Sequence, residues 1–206
     1  MSSMSTDEPR DHHGNPADLK EYIARLDNPA RDEWQRPDVV LNALGITRTS
    51  VVCDVGAGTG YFALRLAKLA THVYAVDVEP QLLVLLRDRV ASAGLQNVTP
   101  VLGLPHDPLI PASACDLILI VNVFHHVPEK AAYLRRLQDG LRPGGRLALI
   151  DFHKRELPVG PPVDHKLSRE DCLEQVHAAG LQVATELDSL PYQYFLIVSP
   201  KESHVR

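Results

Sequence analysis

The chain has 206 residues, 45% of them apolar and 23% charged, with a formal net charge of −5. This balance suits one globular domain of ordinary size and leaves no room for a separate substrate domain. The 21 Lys and Arg are scattered rather than striped, and no apolar run approaches the roughly 20 residues of a bilayer crossing, which argues against nucleic acid and membrane as partners.

Residues 1–16 hold almost no large apolar side chain and are predicted to be a disordered tail, with His12 and His13 solvated. They lack the apolar core of a secretion signal, so a cytoplasmic protein is expected. Residues 17–45 read as a helical lid segment. Leu19, Tyr22, Ile23 and Leu26 recur at helical spacing after Asp18, and a second helix is predicted from Pro37 through Val40, Leu41 and Leu44 to Gly45. Trp34 and Gln35 lie between these helices and are candidates to fold over a ligand.

From Ser50 onward strands alternate with helices. Val51 to Val55 is a β-branched run, and Phe62, Leu66 and Leu69 continue at helical spacing beyond a glycine-rich turn. A second strand is predicted over His72 to Val76, a helix from Pro80 to Ala93, and a third strand over Val98 to Leu102. Asp116 to Val123 is the most continuously apolar run, as a central parallel strand requires. A helix from Glu129 to Leu141, stopped by Arg142 to Gly145, precedes a fifth strand over Arg146 to Phe152. Ser168 is placed to cap a helix reaching Gly180. Two strands then follow in succession, Leu181 to Leu187 and Tyr192 to Val198, which must form an antiparallel hairpin at the sheet edge. The fold class is α/β, a doubly wound sheet over residues 46–200. Cys53, Cys115 and Cys172 form no CxxC pair, and Cys53 reads as a buried hydrophobe.

The turn Gly56-Ala57-Gly58-Thr59-Gly60 follows the first strand, where open α/β sheets bind ligands close to backbone. The next helix is expected to offer free N–H groups there. A dinucleotide turn would carry a glycine at the position of Tyr61. Asp54, two residues before Gly56, would repel a pyrophosphate and attract a cation. Asp77 ends the second strand, where a carboxylate accepts hydrogen bonds from ribose hydroxyls. A ribose with a positively charged tail is the ligand this pattern describes, and S-adenosylmethionine has both.

"VVCDVGAGTGYFALRLA" resembles motif I of the class I S-adenosylmethionine-dependent methyltransferases, and "VYAVDVEPQLL" the stretch after it. "DLILIVNVFHHVPE" and "LRRLQDGLRPGGRLALIDF" are similar to the fourth and fifth strand region of that family, with the small ubiquinone- and menaquinone-biosynthesis-type methyltransferases nearest. The resemblance implies a Rossmann-like, mostly parallel seven-stranded sheet. It implies that Asp54 and the backbone of Gly56, Ala57, Gly58 and Gly60 hold the amino-acid end of S-adenosyl-L-methionine. Asp77 would take the ribose, Val78 would pack on the adenine, and Asn122 would lie near the methyl donor. Leu104 stands where the family usually has an acid for the adenine amino group, so Asp107 is the candidate for that contact.

His125 and His126 follow the fourth strand and are candidates for a general base, against a purely structural role in loop packing and helix capping. On a strand end adjacent side chains point opposite ways, so only one of them is expected to face the cofactor. His153 and His165 bracket a Pro-rich loop, but with His125, His126 and Asp151 they show no helical ligand spacing, and no metal is expected. The expected activity is methyl transfer to a small-molecule acceptor by a monomer or homodimer. The alternative is a non-catalytic S-adenosylmethionine-binding regulatory or partner protein.

Overall fold

A computed structural model of the chain describes residues 18–201; the predicted tail, with His12 and His13, lies outside the described residues. The described part opens with three short helices, α1 (Leu19–Leu26), α2 (Arg31–Gln35) and α3 (Pro37–Ala43). Asp18 caps α1 by accepting the Glu21 N–H at 3.0 Å, which satisfies one of the donors a helix start leaves open. The sequence reading has no counterpart of α2. With only 5 residues it is too short to display a period, and Arg36, at φ 45°, both ends it and starts α3 at Pro37.

Seven strands form one sheet: β1 (Val51–Val55), β2 (His72–Asp77), β3 (Val98–Leu102), β4 (Cys115–Val121), β5 (Leu141–Phe152), β6 (Leu181–Leu187) and β7 (Gln193–Pro200). Their order is β3-β2-β1-β4-β5-β7-β6. The first five are parallel, and β7 is antiparallel to both β5 and β6. The predicted hairpin forms with its second strand inward. Tyr194 to Val198 are all buried, whereas most of β6 is not, so β7 takes the place beside β5 and β6 becomes the edge.

Helices α4 (Ala63–Leu66), α5 (Pro80–Ser92), α6 (Lys130–Asp139) and α7 (Arg169–Ala178) cover the sheet. Ser168 caps α7 as expected, its Oγ accepting the Asp171 N–H at 3.0 Å. Two expectations are corrected. The helix after the glycines has one regular turn, because at Lys68 and Leu69 the backbone tightens to three-residue bonds and Asn97 donates to the carbonyls of Ala67 and Ala70. Arg142 to Gly145 do not stop α6, which ends at Asp139; they lie within β5, where the pairing with β4 is irregular between Cys115 and Leu117.

Alternation along each central strand divides the core in two. Leu117, Leu119 and Val121 of β4 face one side with Val40, Phe62 and Leu86, and Ile118 and Ile120 face the other with Leu134, Leu137 and Val176. The sheet therefore holds the carboxyl ends of β1, β2 and β4 rigidly side by side. At the first of them Gly56 has φ +72°, and a Cβ there would stand 2.2 Å from Val123 Cγ2. A left-handed side chain costs about 1 kcal/mol and overpacking a further 1–3 kcal/mol, so Gly56→Ala is expected to lose roughly 2–4 kcal/mol of stability, read as a lower urea midpoint at unchanged slope.

Candidate functional site

Strand order reverses between β1 and β4, and the glycine turn lies at that switch point, where open α/β sheets bind their ligands. The turn's own donors are engaged within the protein. Gly56 and Ala57 N–H both donate to the Val76 carbonyl, at 2.8 and 2.9 Å, Gly58 N–H donates to Asp77 Oδ2 at 2.7 Å, and Gly60 N–H to the Ala57 carbonyl at 2.9 Å. These four N–H groups are thus not the free donors that would cradle a pyrophosphate. The turn offers close approach rather than anion binding.

Two carboxylates flank it. Asp77 is 9% exposed and also accepts the Glu79 N–H at 3.0 Å, so each of its oxygens already holds one backbone donor and keeps a lone pair. Burial raises its pKa, and the Glu79, Gly58 and Val78 N–H groups pull it back. Asp54 is 3% exposed and its Oδ2 has no hydrogen-bond partner. Burial pushes its carboxyl up to about 7, while Arg31 and the Ala63 N–H favour the charged form. A buried carboxylate oxygen without a partner is a costly arrangement that a bound ammonium group would relieve. The residues present therefore fit the amino-acid end of S-adenosylmethionine at Asp54 and its ribose at Asp77.

The N-terminal segment covers this site. Leu26 Cδ1 stands 3.1 Å from where a Gly58 Cβ would be, and Tyr22 is close enough to Asp77 for the carboxylate to help raise its pKa, after burial. Asp27 anchors the end of α1 to the turn. Its carboxylate takes both Arg89 guanidinium nitrogens at 2.8 and 2.6 Å and the Thr59 hydroxyl at 2.8 Å, and Arg89 also donates to the Thr59 carbonyl. Arg31 is half-buried, and the loss of hydration lowers its pKa; its guanidinium lies over the Tyr61 ring at 3.8 Å. Tyr61 donates to Asp32 at 2.5 Å. So Tyr61, which breaks the dinucleotide pattern, fastens α2 to the turn. Asp27, Arg31 and Arg89 escaped the sequence reading because no motif links residues 62 positions apart.

At the end of β4, Asn122 adopts φ 58°, a left-handed conformation that asparagine tolerates, and its N–H donates to the Ile150 carbonyl. Its side-chain amide donates to Gln35 Oε1 at 3.0 Å and accepts from Gln193 Nε2 at 2.8 Å. Trp34 packs against Phe152, ring centroids 5.7 Å apart. His125 and His126 correct an expectation. They lie in a 3-10 turn (Phe124–His126) rather than on a strand, so instead of pointing apart their rings meet, with centroids 4.0 Å apart and planes tilted by 43°. His125 Nδ1 is 2.8 Å from Asp151 Oδ1 at the end of β5, and both side chains are buried; His126 is exposed.

The other predicted residues are spread around this centre. Val78 is half-buried beside Asp77. Asp107 accepts the Leu109 N–H at 2.9 Å and stands 3.9 Å from Arg136, shaping the loop after β3. Cys53, Cys115 and Cys172 are buried with free thiols whose pKa values burial raises, the latter two to about 12, so none is a thiolate at neutral pH. Among the described residues no group of three metal-ligating side chains converges, and no helix is long and apolar enough to cross a membrane. Two surface clefts, one beside Lys130 and Leu167 and one beside Lys154 and Pro162, include no residue of the glycine turn.

The "Methyltransferase domain" family matches residues 53–147 of the chain. An uncharacterized methyltransferase of Bacillus subtilis, YdaC, is 27% identical over 163 residues, 78% of this chain and 84% of that protein. A demethylmenaquinone methyltransferase of Tropheryma whipplei is 32% identical over 128 residues, 62% of this chain and 52% of that protein, so the match spans about half of that relative. Among solved structures, a SAM-dependent methyltransferase from Aquifex aeolicus superposes with a TM-score of 0.81 at 28% identity, over 86% of this chain and 96% of that one. The sheet order, the placed acids and these likenesses together identify a methyltransferase domain of Rossmann-like fold, similar to the S-adenosylmethionine-dependent methyltransferases.

Proposed function

We propose that the chain transfers the methyl group of S-adenosylmethionine to a small-molecule acceptor held beyond the end of β4, beneath the lid formed by residues 18–45. The observation that carries this reading is the unpartnered, buried Asp54 Oδ2 beside a turn whose N–H groups at Gly56, Ala57, Gly58 and Gly60 are already engaged. When bound, the cofactor supplies a methyl group on a cationic sulfur, open to in-line attack. Asp54 holds its ammonium group, Asp77 its ribose hydroxyls, and Val78 and the loop around Asp107 its adenine. Asn122, fixed at the sheet's switch point, borders the acceptor side. Exclusion of water and alignment of the acceptor are the main tasks left to the protein. One relative is named for a small acceptor, demethylmenaquinone, which is the size class proposed.

We assign removal of the acceptor's proton to His125 rather than His126, because the Asp151 carboxylate fixes the His125 ring by its Nδ1. General base catalysis contributes typically about 10²–10⁴ in rate, so His125→Asn is expected to slow methyl transfer by about 10² or more with cofactor affinity unchanged. The test for both statements supplies S-adenosylmethionine labelled in its methyl group to the full chain, with a small-metabolite extract and, separately, total RNA. Label entering the metabolite fraction, slowed in His125→Asn, is expected. Label entering RNA alone overturns the small-molecule reading, and cofactor binding without any transfer returns the chain to a non-catalytic role.

A further inference from the structure

Gln35, Asn122 and Gln193 bring three carboxamides together from α2, the end of β4 and the start of β7, across 87 and 158 residues of sequence. Gln35 and Gln193 are 0% and 2% exposed. Three hydrogen bonds join the group: Asn122 Nδ2 to Gln35 Oε1 at 3.0 Å, Gln193 Nε2 to Asn122 Oδ1 at 2.8 Å, and Gln193 Nε2 to Gln35 Oε1 at 3.2 Å. Gln35 Nε2 and Gln193 Oε1 are left buried without a partner. One amide donor and one carbonyl acceptor therefore remain open, a costly arrangement in a tie that served only to hold the lid.

The count survives the usual ambiguity in amide orientation. If all three amides are turned over, Gln35 Nε2 donates to Asn122 and Gln193, Asn122 donates to Gln193, and the open pair becomes Gln35 Oε1 with Gln193 Nε2. Either way the cluster presents one donor and one acceptor, on two different residues, with no formal charge among the three side chains.

Resting on the reading above, we propose that Gln35, Asn122 and Gln193 form the recognition site for the methyl acceptor. The ligand they select is a neutral molecule carrying an adjacent hydrogen-bond donor and acceptor, such as a lactam or an enol–carbonyl edge. The Gln193 to Gln35 contact, the longest of the three and shared at both ends, is the one the ligand replaces. Its donor meets the open carbonyl and its acceptor meets the open amide. Trp34, next in sequence to the lid residue Gln35, is in ring contact with Phe152, the two planes tilted by 39°, and adds apolar surface beside it. A carboxylate or phosphate at this place would bury a charge against three neutral amides, at a cost that the hydrogen bonds of the cluster do not offset.

The test uses the full chain saturated with S-adenosylhomocysteine and three probes: 2-pyridone, N-methyl-2-pyridone and benzoate. Saturation-transfer NMR reads binding of each, and calorimetry reads the nucleoside separately. Saturable binding of 2-pyridone is expected, weakened about tenfold or more by the N-methyl group, with benzoate unbound, because a site built for a hydrogen-bonding group rejects the analogue lacking it. Gln193→Leu, or Gln35→Met if the former does not fold, is expected to weaken 2-pyridone about tenfold while nucleoside affinity stays within about twofold. Nucleoside binding without 2-pyridone binding, equal binding of the N-methyl compound or benzoate, or indifference of both variants overturns the proposal. Failure of the nucleoside itself to bind overturns the function reading beneath it, and the two failures are thereby distinguished.

Discussion

Asp77→Ala is expected to weaken binding of S-adenosylhomocysteine by about 10²–10⁴, from two ribose hydrogen bonds to a charged group at about 1.5–3 kcal/mol each. The loss has a second source within the protein. Asp77 accepts the Gly58 N–H at 2.7 Å and the Glu79 N–H at 3.0 Å, so its carboxylate holds both the glycine turn and the start of α5. Without it those donors are left unpaired, and Gly58, at φ 55°, loses the contact that fixes its left-handed conformation. Asp77→Asn separates the two sources, since the amide keeps one oxygen for a backbone donor but removes the charge and half of the acceptors. An intermediate affinity is expected from it in calorimetry. Binding of Asp77→Ala within fivefold of the natural chain would show that the ribose is held elsewhere.

Asp54→Asn is expected to act in opposite directions on stability and on binding. Unfolded, the Asp54 carboxyl loses its proton near 3.8; folded, it keeps it to about 7, because burial disfavours the charge more than Arg31 and the Ala63 N–H restore it. Between those two values the folded chain binds the extra proton, so stability falls as pH rises through this window and is level above it. The gap corresponds to about 4 kcal/mol. The asparagine variant removes the slope. Above pH 7, where the natural chain carries the full cost, it is expected to melt higher by about 5 °C or more, given 2–4 °C per kcal/mol for a chain of this size.

Binding goes the other way. An ammonium group needs the carboxylate, so affinity of the natural chain for S-adenosylhomocysteine is expected to fall about tenfold per pH unit below 7, with release of a proton visible as a buffer-dependent heat. Leaving the ligand's charge buried without its partner costs about 3–5 kcal/mol, so Asp54→Asn is expected to bind about 10²–10⁴ more weakly above pH 7, and without that pH dependence. A variant that neither stabilises the free protein nor weakens binding would place the ammonium away from Asp54.

The gain in stability and the loss in affinity have one origin. A site that keeps a carboxylate desolvated before its partner arrives carries strain in the free state, and the bound cation relieves it. The N-terminal segment partly serves that purpose already, since Arg31 lies close enough to Asp54 to favour its charged form. The Asp27–Arg89–Thr59 anchor holds the same segment against the turn.

Sequence alone determined the strands, the sheet class and the two acids of the candidate site. These are local quantities: Val51 to Val55 and the apolar run from Asp116 are legible because burial on both faces demands continuous apolar residues, and Asp54, the glycines and Asp77 are legible because their spacing is set by one strand, one turn and the next strand. The tertiary structure decided what those spacings could not carry. Whether His125 and His126 diverge or meet depended on a 3-10 turn replacing the strand end, and the His125 partner, Asp151, came from a strand 26 residues on. Arg31, a charged residue in a segment with no visible period, met Asp54 only through folding of the lid. Gln193 lies within a predicted strand, but its meeting with Gln35 and Asn122 required the lid and β7 to arrive at the same place. Side-chain pairing across a long loop leaves no periodic trace, because the chain between the partners is free to take many lengths and compositions without altering the contact.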